Sequence, residues 1–386
     1  MAMNSRMLFV IFALLTSASF AADVAPPAPM KVVPSPQQVE WQRRELTTFV
    51  HFGVNTFTNR EWGEGKENEK IFNPEKLDAR QWARAAKAGG SKLIILTAKH
   101  HDGFCLWPSK YTNHSVKSSP WKDGKGDVVR EFVDAARAEE LKVGLYLSPW
   151  DRNAPSYGDS PKYNEYYRNQ LTELLTNYGE ITEVWFDGAC GEGPNGKRQV
   201  YDWPAVHELV LRLQPAALMF SDAGPGVRWI GNERGTAGDP CWSVVNSKIW
   251  IAPGKAADGA RDANKSLQNG DPAGDAWIPG ECDVSIRPGW FNHPAEDGKV
   301  KTPDQLVDLY FKSVGRNALL LLNVPPTRDG LFHDNDVRNL AEFRHKLDNI
   351  FAKNLAAARP VTATNTRGKS DAFAAANVVD DSLYTY

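Results

Sequence analysis

A parallel α/β barrel is the fold class that this sequence predicts, and three observations carry the prediction. Short continuous apolar runs alternate with amphipathic helical stretches from residue 46 to residue 353, as a sheet covered by helices requires. The chain has 386 residues, room for one barrel of the usual ~250 residues with some chain left over. Polar residues stand at the ends of the apolar runs, where a barrel gathers its chemistry. An open doubly wound sheet gives the same local pattern, but no G-x-G-x-x-G or P-loop follows the first strand. The expectation is therefore a (β/α)8-like TIM barrel over residues 37–354, followed by the start of a C-terminal β-sandwich over 355–386.

The elements follow in order. Arg6 precedes an apolar run from Met7 to Leu15, and small residues lead to Ala21. This pattern predicts a signal peptide over 1–21 and export, to the periplasm or beyond. The run is too short to span a bilayer, and no Cys at the cleavage point marks a lipoprotein. Residues 22–36 read as a Pro-rich flexible lead. Strands are expected at 46–52, 92–98, 143–148, 183–187, 217–222 and 318–324. Helices are expected at 78–88, stopped by Gly89-Gly90, and at 127–140, 163–178, 203–213, 304–316 and 334–353. The stretch from Gly235 to Pro279 has little periodicity and reads as an irregular barrel segment with long loops. After the closing helix the Thr-, Asn- and Ala-rich tail resembles the opening of a discoidin-like sandwich, and is too short to complete one.

Composition narrows the function classes. A formal net charge of −2 gives no electrostatic bias toward nucleic acid or anionic lipid. No segment after the N-terminus is apolar enough for a membrane span. Cys105, Cys190, Cys241 and Cys282 form no CxxC pair and no zinc-like spacing with His; in an oxidising compartment they allow one or two disulfides whose pairing stays open. Cys190 near Asp187 is a weak thiol-nucleophile candidate, because no basic stretch adjoins it to lower its pKa. Thirteen tryptophans are many for this length. Several, including Trp62, Trp185, Trp229 and Trp290, sit in loop-like contexts where stacking on a sugar ring is one explanation, while Trp82 on a helical pattern reads as core.

Candidate chemistry begins at Trp185-Phe186-Asp187-Gly188, where an apolar run delivers a carboxylate to its end. Asp187 taken alone is either a catalyst at a barrel mouth or a loop cap. His51, His100, His101, Tyr146 and Asp222 occupy or follow the ends of the other expected strands. Such a convergence of donors and acceptors suits a polyhydroxylated ligand. Metal ligation is the competing use of the histidines; adjacent His100 and His101 point in different directions, and the His-x-His of barrel metallohydrolases is absent at His51-Phe52-Gly53.

These residues resemble a known family, the family 29 glycoside hydrolases, which are retaining α-L-fucosidases. The resemblance covers roughly residues 40–350 and rests on His51-Phe52-Gly53, Glu61-Trp62-Gly63, the Lys99-to-Phe104 block, Gly144-Leu145-Tyr146 and Trp185-Phe186-Asp187-Gly188. It implies Asp187 as nucleophile and a fucose pocket lined by His51, His100, His101 and Trp62, with Glu61, Tyr146, Trp185, Trp229, Glu281, Arg287 and Trp290 as further substrate-binding residues. Arg228-Trp229-Ile230-Gly231-Asn232-Glu233 resembles the acid/base motif of the branch that cleaves α-1,3 and α-1,4 linkages, which implies Glu233 as acid/base. Glu281, in Gly280-Glu281-Cys282-Asp283 ahead of Arg287-Pro288-Gly289-Trp290, is the rival; its plainer reading is a pocket or structural carboxylate paired with Arg287. A retaining site needs an ionised nucleophile and a protonated acid ~5 to 5.5 Å apart. The implied substrate is a fucosylated oligosaccharide or glycoconjugate, with no cofactor and no metal. The alternatives are a broad-specificity α-L-fucosidase using Glu281, a non-catalytic fucose-binding protein and, third, a metallohydrolase. The oligomeric state is left open.

Overall fold

Burial on both faces is what makes the strands of this chain apolar. We describe residues 32–222, 224–247, 260–382 and 385 in a computed structural model; the signal-like segment 1–21 and most of the lead lie outside them. All seven residues of the second strand and all five of the first are buried, as expected where helices cover a parallel sheet from outside and side chains fill it from inside. The strands in chain order are β1 (Leu46–Val50), β2 (Leu93–Lys99), β3 (Lys142–Leu147), β4 (Glu183–Trp185), β5 (Leu218–Ser221), β6 (Val227–Trp229), β7 (Val244–Val245), β8 (Ala276–Trp277), β9 (Gly280–Ser285) and β10 (Leu319–Asn323). Eight close a barrel in the order β1-β10-β9-β6-β5-β4-β3-β2, all pairs parallel. The short antiparallel β7-β8 pair stands apart.

The helices are α1 (Pro36–Gln42), α2 (Val54–Thr58), α3 (Ala79–Ala88), α4 (Val128–Ala138), α5 (Ser160–Asn177), α6 (Trp203–Leu213), α7 (Ala260–Asn269), α8 (Pro303–Ser313) and α9 (Asp334–Phe351). Their starts are written in capping chemistry. Asp78 and Asp127 accept backbone N–H groups at the heads of α3 and α4, and Ser35 and Thr302 make full capping boxes on α1 and α8; each such cap is worth about 1 kcal/mol. The outward residues of the strands pack on these helices in one large cluster that includes Val50, Leu96, Leu145, Val284 and Leu322.

The inward residues form a second cluster, and their parity decides the site. Phe49, Leu93, Ile95, Tyr146, Trp185, Leu218, Phe220, Leu319 and Leu321 fill the barrel. Side chains alternate along a strand, so the next inward positions past this layer are those of His51, Asp187, Asp222 and Asn323. One register step would have turned all of them outward. At the opposite end Trp41 of α1 closes the floor, its indole Nε1 donating to Glu183 at the start of β4 over 2.8 Å.

Six strands and all the expected helices occur close to where the sequence pattern puts them. Two barrel strands, β6 and β9, were not anticipated. β6 spans only three residues, and β9 reads Gly-Glu-Cys-Asp-Val-Ser, with acidic residues at the inward positions, so neither carries the apolar signature of a buried strand. The stretch expected to be irregular holds only the two-residue β7 and β8 and α7 among its described residues. Residues from Ile350 onward belong to a separate compact unit, whose described part carries short 3-10 turns at Arg367–Lys369, Asp371–Phe373 and Ala375–Val379. Within its described part the Ala358 N–H donates to the Val379 carbonyl at 2.8 Å.

Candidate active site

The C-terminal mouth of the barrel opens into a cavity of about 410 Å³ whose lining includes His51, Trp62, His100, His101, Trp185, Asp187, Trp229, Glu233 and Trp290. Asp187 lies two residues beyond β4, where the strand gives way to the loop. Its Oδ1 accepts the Ala189 N–H at 2.7 Å and its Oδ2 accepts the Tyr146 hydroxyl at 2.9 Å, with His101 Nε2 at 3.7 Å. Donors on both oxygens fix the orientation of the carboxylate. Gly188 beside it is required by space: a Cβ there would come within 2.0 Å of the Asp222 carboxylate.

Glu233 lines the same cavity. Its carboxyl accepts the Trp290 indole N–H at 3.2 Å. The side chain opens to the cavity, yet enough protein surrounds it that burial raises its pKa; the Trp290 bond lowers it again, and the charges of Asp187 and Glu61 add to the rise. One acid is thus held by donors and the other is pushed toward its protonated form, a separation that acid/base chemistry uses.

The histidines sit deep in the same wall. Burial pushes His51 down to about 3 and His100 well below the ordinary histidine value, with the neighbouring histidines lowering His100 further. His101 is also lowered by burial, against the pull of Asp187. All three are therefore neutral at pH 7. The amide of Asn323 fixes the tautomer of His51. Its Nδ2 donates to the Trp290 carbonyl and to Ser285, so its Oδ1 accepts, and the His51 Nδ1 at 2.8 Å must carry the proton. This leaves His51 Nε2 as an acceptor for a hydroxyl. Trp62 is 52% exposed and stands edge-on to His101 and Trp150. Its exposed indole is available for a sugar ring.

The family profile described as Alpha-L-fucosidase matches residues 29–348. The chain belongs to the α-L-fucosidase family of glycoside hydrolases. It is 50% identical over 362 residues to "Alpha-L-fucosidase 1" of Arabidopsis thaliana, covering 93% of this chain and 69% of that protein. A crystal structure of a glycoside hydrolase 29 family member from an unknown rumen bacterium aligns with TM-score 0.81 and 47% identity, over 87% of this chain and 60% of that one. A Ruminococcus gnavus family 29 fucosidase in complex with fucose aligns with TM-score 0.82 and 36% identity, over 95% of this chain and 78% of the other. The chain thus spans about 60% of the length of the rumen-bacterial structure.

Four residues expected to touch substrate stand outside the cavity lining. Glu61 does not line the cavity: its carboxylate accepts the Trp290 and Phe291 N–H groups and bonds to His293 Nε2 at 2.7, 3.2 and 2.5 Å, so it holds the loop that carries Trp290. Arg287 is fully buried behind the wall, bidentate on Asp336 and bonded to Asp297 at 2.7 Å. Its expected pairing with Glu281 does not occur, because adjacent carboxylates on α9 and the 294–297 turn claim the guanidinium. Glu281 is fully buried below the cavity, where it accepts the Trp185 indole N–H at 2.9 Å. Tyr146 also lies under the cavity lining and reaches it through its bond to Asp187. Cys105, Cys241 and Cys282 are free thiols, so none of the disulfides that the sequence allows forms among them.

The cavity also has residues that the sequence pattern did not assign to it. Asp283 lines it and accepts the Trp229 N–H at 2.9 Å; burial, then the Glu233 charge, holds its carboxyl well above the usual range. The available signal was its place two residues after Glu281 on one face. Arg198 and Phe220 complete part of the lining, together with Asp222, one of the strand-end residues expected there, and Cys190. Arg198 lies in a Gly-rich loop with no periodic signal.

Proposed function

We propose that this protein is an exo-acting retaining α-L-fucosidase that removes terminal α-L-fucose from glycans, with preference for α-1,3 and α-1,4 linkages. Asp187 is the nucleophile and Glu233 the acid/base. The observation that carries this reading is that Asp187 and Glu233 share one cavity while Glu281 lies beneath it. In the first step the Asp187 carboxylate attacks the anomeric carbon as Glu233 gives its proton to the departing glycosidic oxygen. In the second, Glu233 takes a proton from water, and that water releases fucose with its anomeric configuration retained. The neutral imidazoles of His51, His100 and His101 receive and orient the sugar hydroxyls, and those bonds strengthen as the ring flattens toward an oxocarbenium ion. Trp62 and Trp290 flank the sugar.

Similarity to named fucosidases and to a fucose-bound structure supports the sugar; the intact Arg228-to-Glu233 motif supports the linkage preference. The same reading takes residues 1–21 as a signal peptide that exports the protein, supported by their charge and apolar pattern, and residues 355–386 as the opening of a β-sandwich. The test is incubation with a panel of defined fucosylated oligosaccharides, Lewis-type and α-1,2-linked, with identification of the released monosaccharide and its initial anomer. Release of β-fucose as first product, or fucose from α-1,2 linkages alone, would overturn the mechanism or the linkage preference respectively.

A further inference from the structure

Directly beneath the cavity, a pair of carboxyl groups has no part in the chemistry just described. Glu183 at the start of β4 and Glu281 on β9 are both fully buried inside the barrel. Each takes one indole N–H: Glu183 Oε2 from Trp41 at 2.8 Å, and Glu281 Oε1 from Trp185 at 2.9 Å. The second oxygen of each has no partner elsewhere, and the two carboxyls interact with one another. Two bare negative charges at such close quarters in a dry interior are prohibitive. Burial raises both carboxyls; at Glu183 the Trp41 N–H and Arg44 hold the rise to about 7, whereas burial and the Glu183 charge, with Asp283 above, push Glu281 well above the usual range. Glu281 therefore carries the proton and directs it at Glu183. That leaves its other oxygen fixed as the acceptor for Trp185.

Trp185 connects this pair to the reacting centre. Its indole stacks on Phe220 at 4.0 Å and 7°, and on the Tyr146 ring at 5.3 Å and 27°. The hydroxyl of Tyr146 is the donor to Asp187 Oδ2. We propose that Glu281 is a positioning residue for the nucleophile: it pins the Trp185 indole, which sets the plane of Tyr146 and so the hydrogen bond that aims the Asp187 carboxylate. This role rests on the fucosidase reading for its catalytic meaning and on geometry alone for its mechanics. It explains why an acid occupies a dry inward position where the neighbouring layers hold leucine, isoleucine and phenylalanine.

The test is a double-mutant cycle with Glu281→Met, which keeps length and loses the acceptor, and Trp185→Phe, which keeps an aromatic face and loses the N–H. Glu281→Gln is the rescue, since its amide oxygen accepts from Trp185 and its NH2 can donate to Glu183. In a folded Glu281→Met variant kcat for an aryl fucoside should fall roughly 10- to 100-fold, the scale of a small misplacement of a reacting group, with KM changed less than threefold. Glu281→Gln should stay within about threefold of the parent, and the double variant should be no worse than the poorer single one. Crystal structures give a readout that needs no turnover: the Tyr146-to-Asp187 bond should be lengthened or lost in Glu281→Met and kept in Glu281→Gln. An unaltered bond and kcat in Glu281→Met, or additive losses in the cycle, overturn the proposal; should Glu281→Met not fold, Trp185→Phe with unaltered Tyr146-to-Asp187 geometry does the same. A parent protein that releases no fucose, but whose Tyr146 bond still depends on residue 281, defeats the fucosidase reading alone.

Discussion

Two pairs of carboxyl groups sit at different depths in one barrel, and they have opposite fates. At the mouth, Asp187 and Glu233 face a cavity, one held by hydroxyl and backbone donors, the other raised by partial burial. On the floor, Glu183 and Glu281 have no exposed surface, and burial raises both carboxyls. Both pairs use indole donors: Trp290 serves Glu233, and Trp41 and Trp185 serve the floor. Side-chain type and hydrogen-bond chemistry are thus nearly matched, and access to solvent and substrate makes the difference. A carboxyl that must gain and lose a proton needs the open cavity; one that must hold a neighbour still is better kept dry.

The comparison breaks most sharply at the nucleophile. Asp187→Ala should lower kcat by on the order of 10³-fold or more without unfolding the protein. The side chain is partly exposed, and a residue of this kind seldom contributes more than about 1 kcal/mol to stability. Steady-state kinetics beside a thermal melt checks both halves, and a folded variant of normal activity ends the assignment. Next comes Glu233→Gln, for which a loss of about 10²- to 10⁴-fold is expected on natural glycans, the usual contribution of a general acid. The loss should shrink on aryl fucosides whose leaving groups need little protonation, and azide should restore part of the rate by attacking the trapped glycosyl-enzyme. Glu281→Gln, in contrast, should leave both substrates nearly untouched.

How much of this was legible in the sequence differs between the two levels. Asp187 and the histidines could be found because each follows a clearly apolar run, so strand end and side-chain chemistry are read together. Glu233 was found through a local motif, although the strand that leads to it, β6 (Val227–Trp229), is too short to show itself. Glu281 and Asp283 mark the limit. They are the same kind of residue, two positions apart on β9, and face the same way, yet a two-residue step along a strand moves a side chain ~7 Å. That step takes Asp283 into the cavity wall and puts Glu281 on the dry floor. Strand depth depends on register against β6 and β10, and register is a property of the closed barrel. Arg287 fails for the same reason: its partners Asp297 and Asp336 come from other parts of the chain.

Trp62 offers a milder break, since it belongs to the mouth but not to the acid pair. Replacing it with Ala removes an exposed ring and the edge contact to His101. The expectation is a several-fold rise in KM, on the scale of ~1 kcal/mol for a lost aromatic contact, with kcat held within about threefold. A large fall in kcat at unchanged KM would mean that the indole acts on the transition state instead of on the bound sugar.

The smallest effect expected is also the one that separates the mouth from the floor by titration. Burial raises the pKa of Glu233, and the Trp290 N–H, by stabilising the charged form, holds that rise in check. Since Glu233 must be protonated to act on the leaving group, kcat/KM falls as pH climbs through its pKa. Trp290→Phe removes the donor but keeps a ring against the sugar, so the pKa should rise and the alkaline limb should move to higher pH, by a few tenths to about one unit for a neutral hydrogen bond of ~1 kcal/mol. Glu281→Gln changes a titrating group of the floor and should move neither limb, because its proton never enters the reaction. A pH profile in which Trp290→Phe shifts the alkaline limb downward, or in which Glu281→Gln shifts it at all, would reverse the division of labour between the two pairs.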